Sequence, residues 1–385
     1  MPTRSTVDLT PLTAVDRDVC ATLQTQLLQG SDKNARLMQQ ADNAFCCVCL
    51  DRDQATDPKD ANPDPSAHQF LAGNGNDRWF DKTVQLIMQT DGKIGAVLEH
   101  TPADANAHIP LFNHNNENLS TKAPNDGDLE PTPQKLDWDI NPSLKTVIEA
   151  QRSGFKETIK KTHLKEINIP DIGRSALKDH YKISPDAFYQ VAIQVAAWRV
   201  WKSMVPTYEA VAMRHRHLGR TECLRSWSPE AIVLADGLND PQATQEQKQT
   251  LLRKAAEKHS QKIAACKSCK GIVRHLFALR KIWEKFGQEL GISEKPRLFE
   301  NPLFKALITT NTLSTSCVVS PSIQRLLFGP VENDGLGIAY NPDNDAFRST
   351  ISYNEDNKAR AAEFEQTLTE VFAELKALKP IPRSA

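Results

Sequence analysis

Nothing in this sequence approaches the roughly 18 consecutive apolar residues of a membrane-crossing helix, so no transmembrane segment is expected. The opening residues, MPTRSTVDLTPLT, lack the apolar core of a secretory leader, which argues against secretion. The closing Pro382-Arg383-Ser384-Ala385 is not a peroxisomal tripeptide. Surplus charge is missing as well: 47 Lys and Arg stand against 48 Asp and Glu, for a formal net charge of -1. Bulk charge therefore gives no reason to expect a nucleic-acid or anionic-membrane partner. No phosphate-loop glycine motif, βαβ rhythm or internal repeat is visible. Paired metal-ligand spacing is also absent. Cys266-Lys267-Ser268-Cys269 is a lone CxxC in a helical pattern, without the second pair of a zinc site. Cys46-Cys47-Val48-Cys49 lies in an apolar strand pattern, where neighbouring side chains point to opposite faces. No metal is expected.

What is present is a soluble globular composition, 39% hydrophobic and 25% charged, in 385 residues with room for two domains. Eight irregularly spaced cysteines suit free thiols in a reducing compartment. A helix is expected from Val15 to Ala44, then a short strand from Phe45 to Leu50. Asp51 to Ser66 and the Asn-, Pro- and Asp-rich stretch from Thr101 to Trp138 read as loops, the second a mobile connection. Asn118-Leu119-Ser120 is a formal glycosylation sequon without a secretory signal to support its use. Ser143 to Thr162 reads as helix and Leu164 to Ile169 as strand. Ser184-Pro185-Asp186 is a strong helix start, a Ser cap followed by Pro at the first helical position. The helix it opens runs to Met204, and Pro206 ends it. A helical pair spans Gln245 to Phe286 and breaks near Ser268 to Gly271. Strands follow at Leu313 to Val319, Gly335 to Tyr340 and Phe347 to Tyr353. An amphipathic helix, Lys358 to Leu378, turns Phe364, Leu368, Val371, Phe372 and Leu375 inward. Scattered strands among longer helices indicate a mixed α/β fold.

One stretch organises the chain. Val84 to Met88 and Ile94 to Leu98 are apolar runs joined by Thr90-Asp91-Gly92-Lys93, a hairpin with Asp-Gly at its turn. The second run leads directly into Glu99-His100 and a Pro-containing loop. A histidine at a strand end is held by the sheet yet faces the loops, which suits a general base. A packed or surface histidine is the common alternative there.

Arg78-Trp79-Phe80-Asp81-Lys82, the hairpin and Glu99-His100-Thr101-Pro102-Ala103-Asp104 together resemble the catalytic-histidine region of the choline/carnitine acyltransferase family. Later segments match that family in the same order over nearly the whole chain. The resemblance implies an α/β (mixed α+β) fold with two related coenzyme-A-dependent acyltransferase-like domains, each a mixed sheet flanked by helices. Residues 1–138 would be a partial first domain carrying the catalytic histidine, and 139–385 the second. The segment that precedes this match in family members is expected to be missing.

The site residues follow from the same resemblance. His100 matches the base that deprotonates the acceptor hydroxyl, or the coenzyme A thiol in the reverse direction, with no acyl-enzyme. Ser316 matches the hydroxyl that meets the oxyanion. Tyr208, Thr221 and Arg274 match groups that hold the carboxylate of carnitine, with Ser314 beside them. Phe328 matches an aromatic near the trimethylammonium. Choline enzymes carry Val-Asp in place of Thr221-Glu222 and Asn in place of Arg274, so this chain reads carnitine rather than choline. Leu326 falls at the acyl-length gate, where a large residue fits acetyl transfer and glycine fits longer chains. Arg174 and Lys178 correspond to a basic pair near the 3′-phosphate of coenzyme A, and Asp186 to an aspartate that helps hold that co-substrate. Two positions depart from the pattern: Cys317 replaces the usual Gln, and Ala105 a frequent Gly.

The expected activity is thus reversible transfer of a short acyl (acetyl) group between coenzyme A and carnitine. Acyl-CoA is a co-substrate, and no permanently bound cofactor is expected. The alternatives are a truncated, non-catalytic member that binds coenzyme A or a partner, and a choline acetyltransferase. A monomer is expected. The resemblance implies a mitochondrial or peroxisomal compartment, with a cytoplasmic one left open.

Overall fold

The computed structural model describes residues 8–51, 65–118 and 133–378. Residues 1–7, most of the loop at 51–66, the centre of the 101–138 connection with part of the sequon, and the closing tetrapeptide lie outside them. The chain forms two compact units, Met1–His163 and Leu164–Ala385.

In the first unit a 3-10 turn, Thr10–Ala14, precedes α1 (Arg17–Gln29) and α2 (Asp32–Asn43). These replace the single helix expected from 15 to 44. Gly30 ends α1, and the Ser31 hydroxyl accepts the Lys33 amide at 3.2 Å, which starts a new helix. β1 (Cys47–Asp51), α3 (Pro65–Ala72), β2 (Val84–Gln89) and β3 (Ile94–Leu98) follow. β1 pairs parallel to β2, and β2 antiparallel to β3. The hairpin turn is the expected one, with Gly92 at φ 83°, where a side chain is disfavoured. One face of this sheet, formed by Val48, Leu50, Leu86, Met88, Ile94 and Ala96, is apolar and exposed or half-buried.

The stretch after His100, expected as loop, instead forms α4 (Ala105–Glu117), with Pro110 inside it. Pro110 masks the helical pattern because proline removes one ladder donor. α5 (Pro142–Lys161) forms where a helix is expected, and it closes the unit. Its Leu144 and Ile148 pack with Leu12, Leu23, Leu27 and Met38, so it belongs with the first unit. The expected division at 138 had placed it with the second.

The second unit is built on a six-stranded mixed sheet in the order β4-β9-β8-β7-β5-β6. β4 is Thr162–Pro170, β5 Thr207–Ala212, β6 Thr221–Arg225, β7 Leu313–Cys317, β8 Leu336–Pro342 and β9 Ala346–Asn354. β5, β7 and β8 run parallel, with β6 and β9 antiparallel beside them. α6 (Arg174–Ala176) continues into a π turn, Leu177–Tyr181, and then α7 (Pro185–Trp201) begins at the expected Ser184 cap. It ends at Lys202, in the left-handed region at φ 52°, before Pro206 is reached.

α7 is buried on every side from Ala187 to Ala197. It packs against Leu313, Leu336, Ile338 and Phe347 of the sheet, and against α8 (Pro229–Asn239), α9 (Gln245–Lys267) and α13 (Lys358–Ala377). Tyr189 stacks on Tyr340 at 4.2 Å between ring centroids. Each such fully buried apolar side chain stabilises the fold by roughly 1.5–3 kcal/mol. α10 (Val273–Phe286) and the short α11 (Arg297–Glu300) and α12 (Pro302–Phe304) complete the unit. The five inward residues expected on the last helix are all buried. The fold is thus mixed α/β with two mixed sheets flanked by helices.

Candidate functional site

In the second unit the site residues gather on the sheet face opposite α7. Residues in register across a sheet share a face, and Tyr208 pairs with Ser314, Ser314 with Gly337, and Gly337 with Ser352. The next row on that face is Ser316, Ala339 and Thr350. Thr221, Cys223 and Arg225 of β6 alternate onto the same face, since Tyr208 pairs with Arg225 and Ala212 with Thr221.

Arg274, in the first turn of α10, reaches this face. Its Nη2 lies 3.4 Å from the Tyr208 hydroxyl and 3.4 Å from Thr221 Oγ1. Three expected carboxylate ligands, from three different elements, thus converge. The helix start that carries Arg274 has no capping side chain of its own. Glu222 fills that role: its Oε1 accepts the Arg274 amide at 3.1 Å, a favourable place for negative charge. Gly271 makes this approach feasible, because a Cβ there would come within 2.4 Å of the Glu222 side chain.

Phe328 lies over Gly337, where a Cβ would meet its ring at 3.0 Å. Leu326 lines a cavity of about 60 Å³ together with Ala339 and Thr350. Both therefore belong to the face that carries Ser314 and Ser316. Ser314 is buried and Ser316 half-buried.

The expected coenzyme A residues sit elsewhere in the unit. Arg174 Nη2 donates to Asn344 Oδ1 at 2.8 Å, and its amide to the Asp343 carbonyl at 2.7 Å. Lys178 follows one turn later and is exposed. Asp186 is turned to the α7 side of the sheet, where Oδ1 accepts the Tyr340 hydroxyl at 2.6 Å. Burial works against its charge, but the nearby His259 imidazole and the hydrogen bond from Tyr340 outweigh it and hold the carboxyl below its ordinary value.

His100 belongs to the first unit. The Glu99 amide donates to the Thr83 carbonyl at 3.1 Å, extending the ladder by one residue. The Glu99 carboxylate then accepts the Thr101 amide at 3.0 Å and the Thr101 hydroxyl at 2.6 Å, which turns the chain. The His100 side chain is 77% exposed, with Nδ1 3.7 Å from Asp104 Oδ1 at the start of α4. The preceding motif is scaffold. Lys82 Nζ donates to the carbonyls of Ala41, Asp42 and Ala44 at the end of α2, and the Trp79 amide donates to Gln85 Oε1 at 2.6 Å.

Sequence reasoning missed the polar groups under the site. Gln190, Glu209, His259 and Tyr340 are buried and linked on the α7 side. Glu209 directly follows Tyr208, but nothing in the local sequence ties either to a histidine 50 residues later. All eight cysteines are free, with Cys266 buried and Cys269 exposed. Among the described residues no helix is long and apolar enough to cross a membrane.

A model of the Choline/Carnitine o-acyltransferase family matches residues 2–370. Carnitine O-acetyltransferase of Columba livia is 30% identical over 380 residues, covering 95% of this chain and 58% of that protein. Choline O-acetyltransferase of Sus scrofa is 28% identical over 387 residues, covering 97% and 58%. Mitochondrial carnitine O-palmitoyltransferase 2 of Bos taurus is 32% identical over 362 residues, covering 91% and 53%. The chain spans little more than half the length of these curated relatives. Their names differ in acceptor and in acyl group, so the similarity reaches the family and not one substrate. With the match running through both compact units, the chain belongs to the choline/carnitine O-acyltransferase family.

Proposed function

We infer that the protein transfers a short acyl group reversibly between coenzyme A and the hydroxyl of carnitine. The observation that carries this reading is the convergence of Arg274, Tyr208 and Thr221. A guanidinium flanked by two hydroxyls suits a carboxylate, each charge-assisted hydrogen bond being worth about 1.5–3 kcal/mol. Choline has no carboxylate to offer it.

In the forward direction His100 takes the proton of the carnitine hydroxyl. The oxygen attacks the thioester carbonyl, and Ser316 donates a hydrogen bond to the oxyanion that forms. Collapse breaks the C–S bond, and His100 returns its proton to the departing thiolate. No acyl-enzyme is needed. Phe328 offers its ring face to the trimethylammonium. Arg174 and Lys178 face the phosphates of coenzyme A, and Asp186 starts the helix beside them. Metal plays no part in this sequence of steps. Free cysteines throughout support a reducing, intracellular setting.

The deciding experiment is thiol release from acetyl-CoA with carnitine, and separately with choline, as acceptor. Carnitine is expected to be the better acceptor, and a preference for choline overturns the assignment of Arg274. Arg274→Asn should raise the KM for carnitine about 10–150-fold, the equivalent of the lost 1.5–3 kcal/mol, with a much smaller effect on acetyl-CoA. An unchanged KM would remove the carboxylate from this position.

A short acyl group is favoured by Leu326 at the position of the acyl-length gate, where a large side chain restricts space and glycine would open it. Leu326→Gly should raise the rate with octanoyl-CoA about 10-fold or more relative to acetyl-CoA. A variant whose chain-length profile matches the parent's would locate the gate elsewhere.

A further inference from the structure

The polar groups on the α7 side of the sheet form a circuit of ion-pair and hydrogen-bond contacts, in which His259 Nε2 faces two carboxylates without a hydrogen bond of its own. His259, from the middle of α9, is 2% exposed. Its Nε2 stands 3.2 Å from Glu209 Oε2 on β5 and 3.7 Å from Asp186 Oδ2 on α7. Asp186 Oδ1 accepts the Tyr340 hydroxyl at 2.6 Å, and Gln190 Nε2 donates to Tyr340 Oη at 3.0 Å and to Thr315 Oγ1 at 2.9 Å. The Thr315 hydroxyl donates to the Tyr208 carbonyl at 2.7 Å. The circuit begins at Glu209 and ends at Tyr208, two consecutive residues. Its last side chain, Thr315, lies between Ser314 and Ser316.

We propose that His259, carrying two protons, is a positioning residue for the acceptor site. By holding Glu209 and Asp186 together it fixes β5 against β7 and α7, and so aligns Tyr208 with Ser314 and Ser316. Its effect on turnover rests on the acyl-transfer reading above. The charge state of the imidazole does not.

The electrostatic argument is simple. The buried Glu209 and the half-buried Asp186 face one nitrogen, and without a cation between them proton uptake by one or separation of the two is favoured. Other charged groups are engaged differently. Lys262, one turn further along α9, donates to the carbonyls of Arg225 and Trp227, and burial lowers its pKa. Lys258 pairs with Glu230 of α8 at 3.9 Å. Ser226 donates to Glu209 Oε2 at 2.9 Å, and the thiols of Cys266 on α9 and Cys317 at the end of β7 are the remaining titratable neighbours besides Tyr340. Burial works against charge on His259, but Asp186 and Glu209 outweigh it and raise its pKa from 6.5 to about 9. Burial also pushes the Glu209 carboxyl up, so its ionised form depends on that neighbouring charge. A raised histidine pKa contributes stability that is complete below pH 6.5 and is lost as pH rises through about 9.

Two measurements test this on the full chain. In wild-type protein with 15N-labelled histidine, the His259 resonance, assigned by its loss in His259→Gln, should titrate near pH 9. Titration below pH 7 overturns the proposal. Should His259→Gln fail to fold, Glu209→Gln supplies the assignment by moving that one titration toward neutrality. In kinetics, His259→Gln should raise the carnitine KM about 10- to 100-fold, the scale of a small misplacement of a binding group. It should also abolish the rise in carnitine KM that the parent shows as pH increases through about 9. Adding Glu209→Gln should recover part of the loss, because a neutral pair replaces an unpaired carboxylate. General destabilisation with an unaltered pH profile and no recovery overturns the proposal. Stoichiometric metal in the purified protein does so too, since the same three groups could ligate an ion only with the imidazole unprotonated. If the parent shows no transfer to carnitine at any pH, the acyl-transfer reading fails, while the titration still decides the state of His259.

Discussion

Replacing His100 by alanine should lower kcat for acetyl transfer to carnitine by about 10²–10⁴-fold, the usual worth of positioned proton transfer. The fold should not register the change. The imidazole is 77% exposed, so its removal opens no cavity in a core. The backbone around it is held by other groups, through the Glu99 amide on Thr83 and the Glu99 carboxylate on Thr101. Thermal unfolding of His100→Ala should therefore stay close to that of the parent while turnover collapses. In the proposed reaction Asp104, 3.7 Å from Nδ1, would favour the proton on that nitrogen and leave Nε2 to act as the base. Asp104→Asn should accordingly reduce kcat with a smaller effect on the carnitine KM. A His100→Ala variant that keeps its turnover within about twofold would remove the histidine from the reaction, because proton transfer worth less than 10²-fold is no base catalysis of this kind.

Local signals were the legible ones. The Asp-Gly turn, the Ser184 cap and the period of the last helix each depend on residues a few positions apart, and each element formed where those residues indicate. Local signals also explain the misses. Pro110 disguised α4, and the Gly30-Ser31 break divided one expected helix into two. α8 went unread although Ser228-Pro229 has the same cap as Ser184-Pro185. The trio proposed to hold a carboxylate is a different case. Tyr208, Thr221 and Arg274 become neighbours only because β6 folds back on β5 and the first turn of α10 is capped by Glu222. No period or spacing contains that adjacency, and resemblance to a family was the sole route to it. The circuit through Glu209, His259 and Asp186 had neither local pattern nor resemblance behind it. Three residues from a strand and two helices meet there through the packing of α7 and α9.

The same distinction between site and scaffold predicts the largest loss of stability, and it falls on Arg78. This guanidinium is 1% exposed. It donates to both carboxylate oxygens of Asp51, at 2.9 and 2.7 Å, and to the carbonyls of Asp77 and Gln69 at 3.0 Å each. One side chain thus joins the end of β1, α3 and the loop before β2. Burial works against charge on Asp51, but the hydrogen bonds from Arg78 and Gln69 outweigh it and hold the carboxyl below its ordinary value. Arg78→Ala leaves that carboxylate buried and unpaired, and breaking such a pair costs about 3–5 kcal/mol. Much of the stability available to a unit of this size, typically about 5–15 kcal/mol for a domain, would be gone. Amide hydrogen exchange should report the loss first in β1 and β2, while β7 and β8 of the second unit stay protected. The pH dependence carries a sign as well. A depressed carboxyl contributes stability above its unfolded pKa of about 3.9 that is lost as pH falls through the folded value. The parent should therefore weaken in acid, whereas Arg78→Ala should regain stability relative to it as Asp51 takes up a proton. Asp51→Asn combined with Arg78→Met should recover part of the 3–5 kcal/mol by removing both charges at once. If Arg78→Ala unfolds like the parent in urea, the pair is not what holds the end of β1 to α3 and to the loop before β2.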